Sequence, residues 1–141
     1  MSTPLRHNLR DLTLAARAAR AIMGAHMQLR WRSIQSMRAW ATTRSRRIGA
    51  KPELLDAFRR AAARLPGTCL VRALALQRLL AEHGYASELR IGVARADDRL
   101  LAHAWLIDAS EVLVGGGHEA ETFKVLANWP HAGSPGVGLF R

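Results

Sequence analysis

At Gly84 the hydrophobic period of this chain changes from 3.6 to 2, which rules out both an all-helical and an all-strand fold. Before that point apolar residues recur at three- and four-residue steps. After it, Leu89, Ile91 and Val93 alternate with Arg90, Gly92 and Ala94, the pattern of a half-buried strand. Asp97-Asp98 supplies a polar turn, and Leu100 to Ile107 reads as a second strand with Leu101, His103, Trp105 and Ile107 on one face. Asp108 to Glu111 turns the chain again, and Val112 to Val114 returns as a third strand. Such short connections predict an antiparallel meander. Beyond Gly115-Gly116-Gly117 a short helix is expected within Glu119 to Trp129, and then an irregular Pro/Gly-rich tail.

The helical part falls into three pieces. From Asn8 to Trp40, Leu12, Ala16, Ala19, Met23, Met27, Trp31 and Ile34 form a stripe expected to pack on the protein's own core or on a partner. Gly24 is where this run can divide into two helices. Residues 42–50 read as a basic linker. Pro52 then suits the first position of a helix whose stripe is Leu54, Leu55, Phe58, Ala62 and Leu65. In the third piece Pro66 and Gly67 break the chain, Thr68 offers an N-cap hydroxyl, and Gly84 ends the helix in a left-handed conformation. The expected fold class is α+β, with N-terminal helices followed by a Cys-bearing helix packed on a small antiparallel sheet. The expected division is a basic helical segment over 1–50 and a core over 51–141.

That third helix opens on Cys69, the one cysteine among 141 residues. Unpaired backbone N–H groups and the helix dipole favour a thiolate at such a position. His103 follows 34 residues later on a strand. A Cys opening a helix with a His on a downstream strand is the layout of a thiol nucleophile and its base. The same spacing also suits a buried cysteine acting as a small hydrophobe.

Composition removes other classes. One cysteine excludes an internal disulfide framework and a Cys-rich metal site. His26, His83, His118 and His131 show no i,i+4 or cysteine pairing, so neither metal nor cofactor is expected. No apolar stretch follows the first ten residues, and no run approaches the roughly 18 apolar residues of a membrane span. A cytoplasmic setting is the default.

Charge is divided unevenly. Residues 1–65 hold 14 Lys/Arg against 3 Asp/Glu, a net of +11, whereas residues 66–141 hold 7 against 8, a net of −1. A basic half of this kind suits nucleic acid, an acidic membrane surface or an acidic protein. The nucleic-acid reading lacks an aromatic stacking platform and a reading motif.

The blocks CLVRALALQRLL (Cys69–Leu80), His83-Gly84, LRIGV (Leu89–Val93) and AHAW (Ala102–Trp105) carry a family resemblance. Over roughly Pro66 to Leu126 the chain resembles the leader peptidases of lasso-peptide biosynthesis, the B2 proteins. These belong to the transglutaminase-like, papain-related cysteine proteases. The resemblance implies that Cys69 is the nucleophile and His103 its base. It also implies a bacterial, cytoplasmic hydrolase that removes the leader from a ribosomally made precursor peptide. Implied partners are the precursor, leader plus core, a separate leader-binding B1 protein, and the ATP-dependent cyclase that acts next. The alternative within the superfamily is another acyltransferase or peptidase.

Relatives with a full triad place an Asp about a dozen residues after the His. Here the position expected to face His103 is near Gly116. Asp108 has the wrong strand parity to reach it. Glu119, Glu121 and His118 lie just beyond the glycines, and a backbone carbonyl or a water could serve instead, so the third member is unassigned. A second oxyanion donor is also unassigned, with Gln28, Gln35 and Gln77 candidates by residue type. Arg72 is expected to face solvent or to pair with Glu82 or Asp108.

Overall fold

A computed structural model of the chain describes residues 4–45, 49–116 and 123–130, with side chains from Leu9 onward. It contains α1 (Pro4–Trp31), α2 (Ile34–Thr42), α3 (Lys51–Arg64) and α4 (Cys69–Glu82), then β1 (Glu88–Ala96), β2 (Arg99–Asp108), β3 (Glu111–Val114) and β4 (Lys124–Trp129). The four strands form one antiparallel sheet in the order β3-β2-β1-β4. The fold class is α+β, as the change of period at Gly84 implied.

Helix α4 is the centre of the molecule. Val71, Leu74, Leu76, Leu79 and Leu80 are buried, and so are Ala73, Ala75 and Ala81 between them. A helix apolar on all sides needs partners on all sides. One side meets Ala18, Ile22 and Ala25 of α1, Met37 of α2 and Phe58 of α3, and the other meets Leu89, Ala104, Leu106 and Trp129 of the sheet. Full burial of each leucine contributes roughly 1.5–3 kcal/mol relative to exposure. The helix begins where the sequence put it, with the Thr68 hydroxyl accepting from Val71 N–H at 3.3 Å. Gly84 follows the end of the helix at φ +82°.

Among the described residues, four polar ones are buried, Thr42, Gln77, His83 and Ser87, and two of them tie elements together through their side chains. Gln77 donates its amide to the carbonyls of Trp129 (2.9 Å) and Ser87 (3.4 Å), joining α4 to the end of β4 and the approach to β1. His83 donates Nδ1–H to the Leu79 carbonyl at 2.9 Å. Its Nε2 then accepts from Arg17 Nη1 of α1 at 3.0 Å, because a guanidinium can only donate.

The N-terminal run divides at Arg32-Ser33 and not at Gly24, with Ser33 capping α2 through Ser36 N–H. Gly24 has a packing role instead. A Cβ there would lie 2.7 Å from the indole of Trp40, so the missing side chain lets α2 close onto α1. Trp40 in turn lies 5.3 Å beneath the Arg78 guanidinium, which also donates to the Trp40 carbonyl.

The buried face of α1 corrects the sequence reading. Ala18, Ala21, Ile22 and Ala25 are buried, whereas Leu12, Met23, Met27, Trp31 and Ile34 are exposed. At about 100° per residue Leu12, Met23, Met27 and Trp31 lie opposite the buried set on α1, and Ile34 belongs to α2. Small residues won the inner position because they let α1 approach α4 closely. In α3, Pro52 stands in the first turn, and Leu54, Ala57 and Phe58 face inward.

The sheet adds a strand that the sequence reading missed. Lys124–Trp129 lies antiparallel against the outer edge of β1, where a short helix was expected. Its apolar residues suit either period, and the open edge of β1 decides the outcome. The β2–β3 hairpin turns at Ala109-Ser110, and Ala109 has φ +53°. Asp108 pairs with Glu111 and Ile107 with Val112. A bulge then shifts the register by one, so that Leu106 pairs with Val114.

Candidate active site

Cys69 is the first residue of α4, half-buried and packed against the core. The loop before it is tethered. His26 of α1 donates Nε2–H to the Pro66 carbonyl at 2.8 Å, so α1 fixes the turn that precedes the thiol. Nothing in the sequence marks this contact, because His26 and Pro66 are 40 residues apart.

His103 lies in the middle of β2, half-buried. Its ring stacks on Trp105 (5.9 Å between centroids, 18° between planes) and packs against Phe123 (5.2 Å). Trp105 is buried, as a wall aromatic should be. His103 Nε2–H donates to the main-chain carbonyl of Gly115 at 2.6 Å. A carbonyl can only accept, so Nε2 carries the proton and Nδ1 keeps its lone pair in the neutral ring. Gly115 stands at φ +77°, a conformation that its missing Cβ permits. A Cβ there would lie 2.6 Å from the Ala104 carbonyl.

The two candidate residues are not in contact, and no hydrogen bond joins Cys69 to His103 among the described residues. His103, Trp105 and Ile107 share one face of β2, while Ala104 and Leu106 on the other face join the cluster around α4. The His103 face opens into a cavity of about 390 Å³ lined by Arg90, Trp105, Ile107, Val112, Phe123 and Val125. The sheet thus lies between the face that carries His103 and the α4 side that carries Cys69, and the structure does not bring the two side chains together.

Asp108 forms an ion pair with Lys51 at the start of α3, on the side that its strand parity indicated. Glu119, Glu121 and His118 lie outside the described residues. Gln77 is engaged inside the core. Gln35 is exposed, and Gln28 is half-buried with no partner for its Oε1. Arg72 pairs with neither Glu82 nor Asp108. It reaches the Ala62 carbonyl at 3.5 Å, while Glu82 pairs with Arg78 at 3.0 Å and with Arg20 at 3.5 Å. Among the described residues no three His, Cys, Asp or Glu side chains come together as a metal site requires.

A cysteine opens the central helix, which lies on an antiparallel sheet with a histidine on its second strand, an α+β arrangement. The family model described as the transglutaminase-like superfamily matches residues 7–128, most of the chain, α1 included. The chain belongs to that superfamily, whose chemistry is that of cysteine peptidases and acyltransferases. No curated protein and no solved structure gives a significant match. No helix among the described residues is long and apolar enough to cross a membrane.

Proposed function

We propose that this chain is a cysteine peptidase that removes the leader from a ribosomally made lasso-peptide precursor. Cys69 is the nucleophile in this reading and His103 the base. The observation that carries the reading is the transglutaminase-like match over residues 7–128, within which Cys69 opens α4 and His103 stands on β2. The hydrogen bond from His103 Nε2–H to the Gly115 carbonyl leaves Nδ1 as the nitrogen that can take a thiol proton, and the reading requires the ring to reach the α4 side of the sheet. The position of Cys69 at the capped start of α4 supports it as the attacking group.

The thiolate attacks the carbonyl at the end of the leader, and the π electrons pass to oxygen as a tetrahedral oxyanion. The N–H of Cys69 is the nearest donor for that charge. Collapse of the intermediate breaks the C–N bond, and His103 Nδ1–H protonates the departing amine of the core peptide. The same nitrogen then takes a proton from water, whose hydroxide attacks the thioester. Collapse releases the leader as a carboxylic acid and returns the proton to the Cys69 sulfur. A leader-binding protein presents the substrate, and an ATP-dependent cyclase uses the freed amine.

The test is incubation of a lasso-peptide precursor and its leader-binding protein with this chain, followed by mass analysis. Release of an intact leader and core supports the reading. Transfer of the leader acyl group to an added amine, without hydrolysis, would assign an acyltransferase instead.

A further inference from the structure

Large apolar side chains stand exposed on the face of α1 that points away from the core and at the start of α2. Leu12 is 66% exposed, Met27 62%, Trp31 73% and Ile34 67%. Isolated apolar residues on a surface need no explanation, but Leu12 belongs to an apolar groove, the kind of feature that marks an interaction site. That groove lies between α1 and α3 and holds about 410 Å³. Leu12, Ala15 and Ala19 form one wall, and Ala61 and Leu65 the other. Arg60 and Arg64 stand at the rim with Asp11. Arg60 lies 3.3 Å from Asp56 in an exposed i,i+4 pair, which is worth at most about 1 kcal/mol and leaves the guanidinium easily redirected.

We propose that this groove is a docking site for an acidic amphipathic helix of a partner protein. The occupant's apolar face lies against Leu12, Ala19 and Leu65, and its carboxylates meet Arg60 and Arg64. Charge selects the occupant, since residues 1–65 carry a net +11 and so place a cationic field around an apolar floor. A second copy of this chain is a poorer match, because its basic half would repel and its other half carries only a net −1. A bilayer surface is flat and leaves a groove between two helices unfilled, whereas a helix laid in a groove buries apolar side chains at i, i+3, i+4 and i+7. This site is separate from Cys69 and does not depend on the role given to it.

The probe is a fluorescein-labelled synthetic helix of about 20 residues, with leucines at that spacing and glutamates elsewhere. Binding is read by anisotropy, and its footprint by amide hydrogen exchange on the full chain. The expected result is saturable binding with protection confined to α1 and α3. Leu12→Glu weakens it about tenfold or more, and Arg60→Gln with Arg64→Gln reduces its salt dependence. Leu12 and both arginines are surface residues, so these variants keep the fold, and their exchange patterns away from the groove report on that. Equal binding of a scrambled peptide of the same composition overturns the proposal. So does a footprint elsewhere, unchanged binding by Leu12→Glu, or binding to anionic phosphatidylglycerol vesicles without binding to the peptide.

Discussion

His103 and Gly115 are joined side chain to main chain, with Nε2 and the carbonyl oxygen 2.6 Å apart. In the proposed pairing, this main-chain carbonyl stands where relatives with a full triad place an aspartate. It fixes the tautomer as a carboxylate would, without adding a negative charge beside the ring.

Gly115→Ala tests that arrangement. At φ +77° with a Cβ 2.6 Å from the Ala104 carbonyl, alanine has to move the peptide. Turnover is expected to fall about tenfold or more, equivalent to about 1.4 kcal/mol in the barrier. In the wild type, ¹⁵N spectra should show the Nε2–H tautomer of His103, and the variant should lose that preference. Unchanged turnover with an unchanged tautomer would remove Gly115 from the site.

Asp108→Asn separates the carbonyl from a carboxylate. Asp108 faces Lys51 and not His103, so the variant should keep activity within tenfold and lose at most about 1 kcal/mol of stability. Glu119→Gln and Glu121→Gln should be equally mild if the Gly115 carbonyl suffices. A several-hundredfold loss in any of the three, with Cys69 still alkylated by iodoacetamide at the wild-type rate, would hand the orienting role to that carboxylate.

Gln77→Leu addresses the attachment of β4. Leucine fills the space but leaves the Trp129 and Ser87 carbonyls without their buried donor. A cost of about 1–3 kcal/mol is expected from each group left unsatisfied. Urea denaturation should show the loss, and hydrogen exchange should place the first opening at Lys124–Trp129. Wild-type stability would mean that the amide contacts contribute nothing net.

These substitutions also mark what could be read in the sequence. The start and end of α4 were legible because Thr68 and Gly84 carry their own conformational preferences, and the face of Asp108 followed from strand parity. The inner face of α1 was not legible, because the helix is apolar on two opposite sides. Burial went to Ala18, Ala21, Ile22 and Ala25, whose small size matters only once α4 is beside them. Strand β4 depends on an edge of β1 lying more than 30 residues earlier, which local periodicity cannot report. The bulge after Leu106 and the His26–Pro66 tether are likewise products of tertiary contact.

Thr68→Ala probes the start of the helix that Cys69 opens. Loss of the 3.3 Å cap to Val71 should lower stability by about 1 kcal/mol. Turnover should fall more than that stability change alone predicts, because the cap also fixes the backbone of Cys69. Thermal unfolding and single-turnover cleavage together decide it, and a stability loss with normal turnover would make the cap purely structural.

The central claim is that the Cys69 sulfur forms the bond to substrate. The most direct measurement is the mass of the products when a lasso-peptide precursor and its leader-binding protein are incubated with the wild type, with Cys69→Ala and with His103→Ala. The wild type should release intact leader and core, Cys69→Ala should release neither while unfolding at the wild-type temperature, and His103→Ala should be nearly as inactive. Cleavage by Cys69→Ala at the wild-type rate would contradict the account.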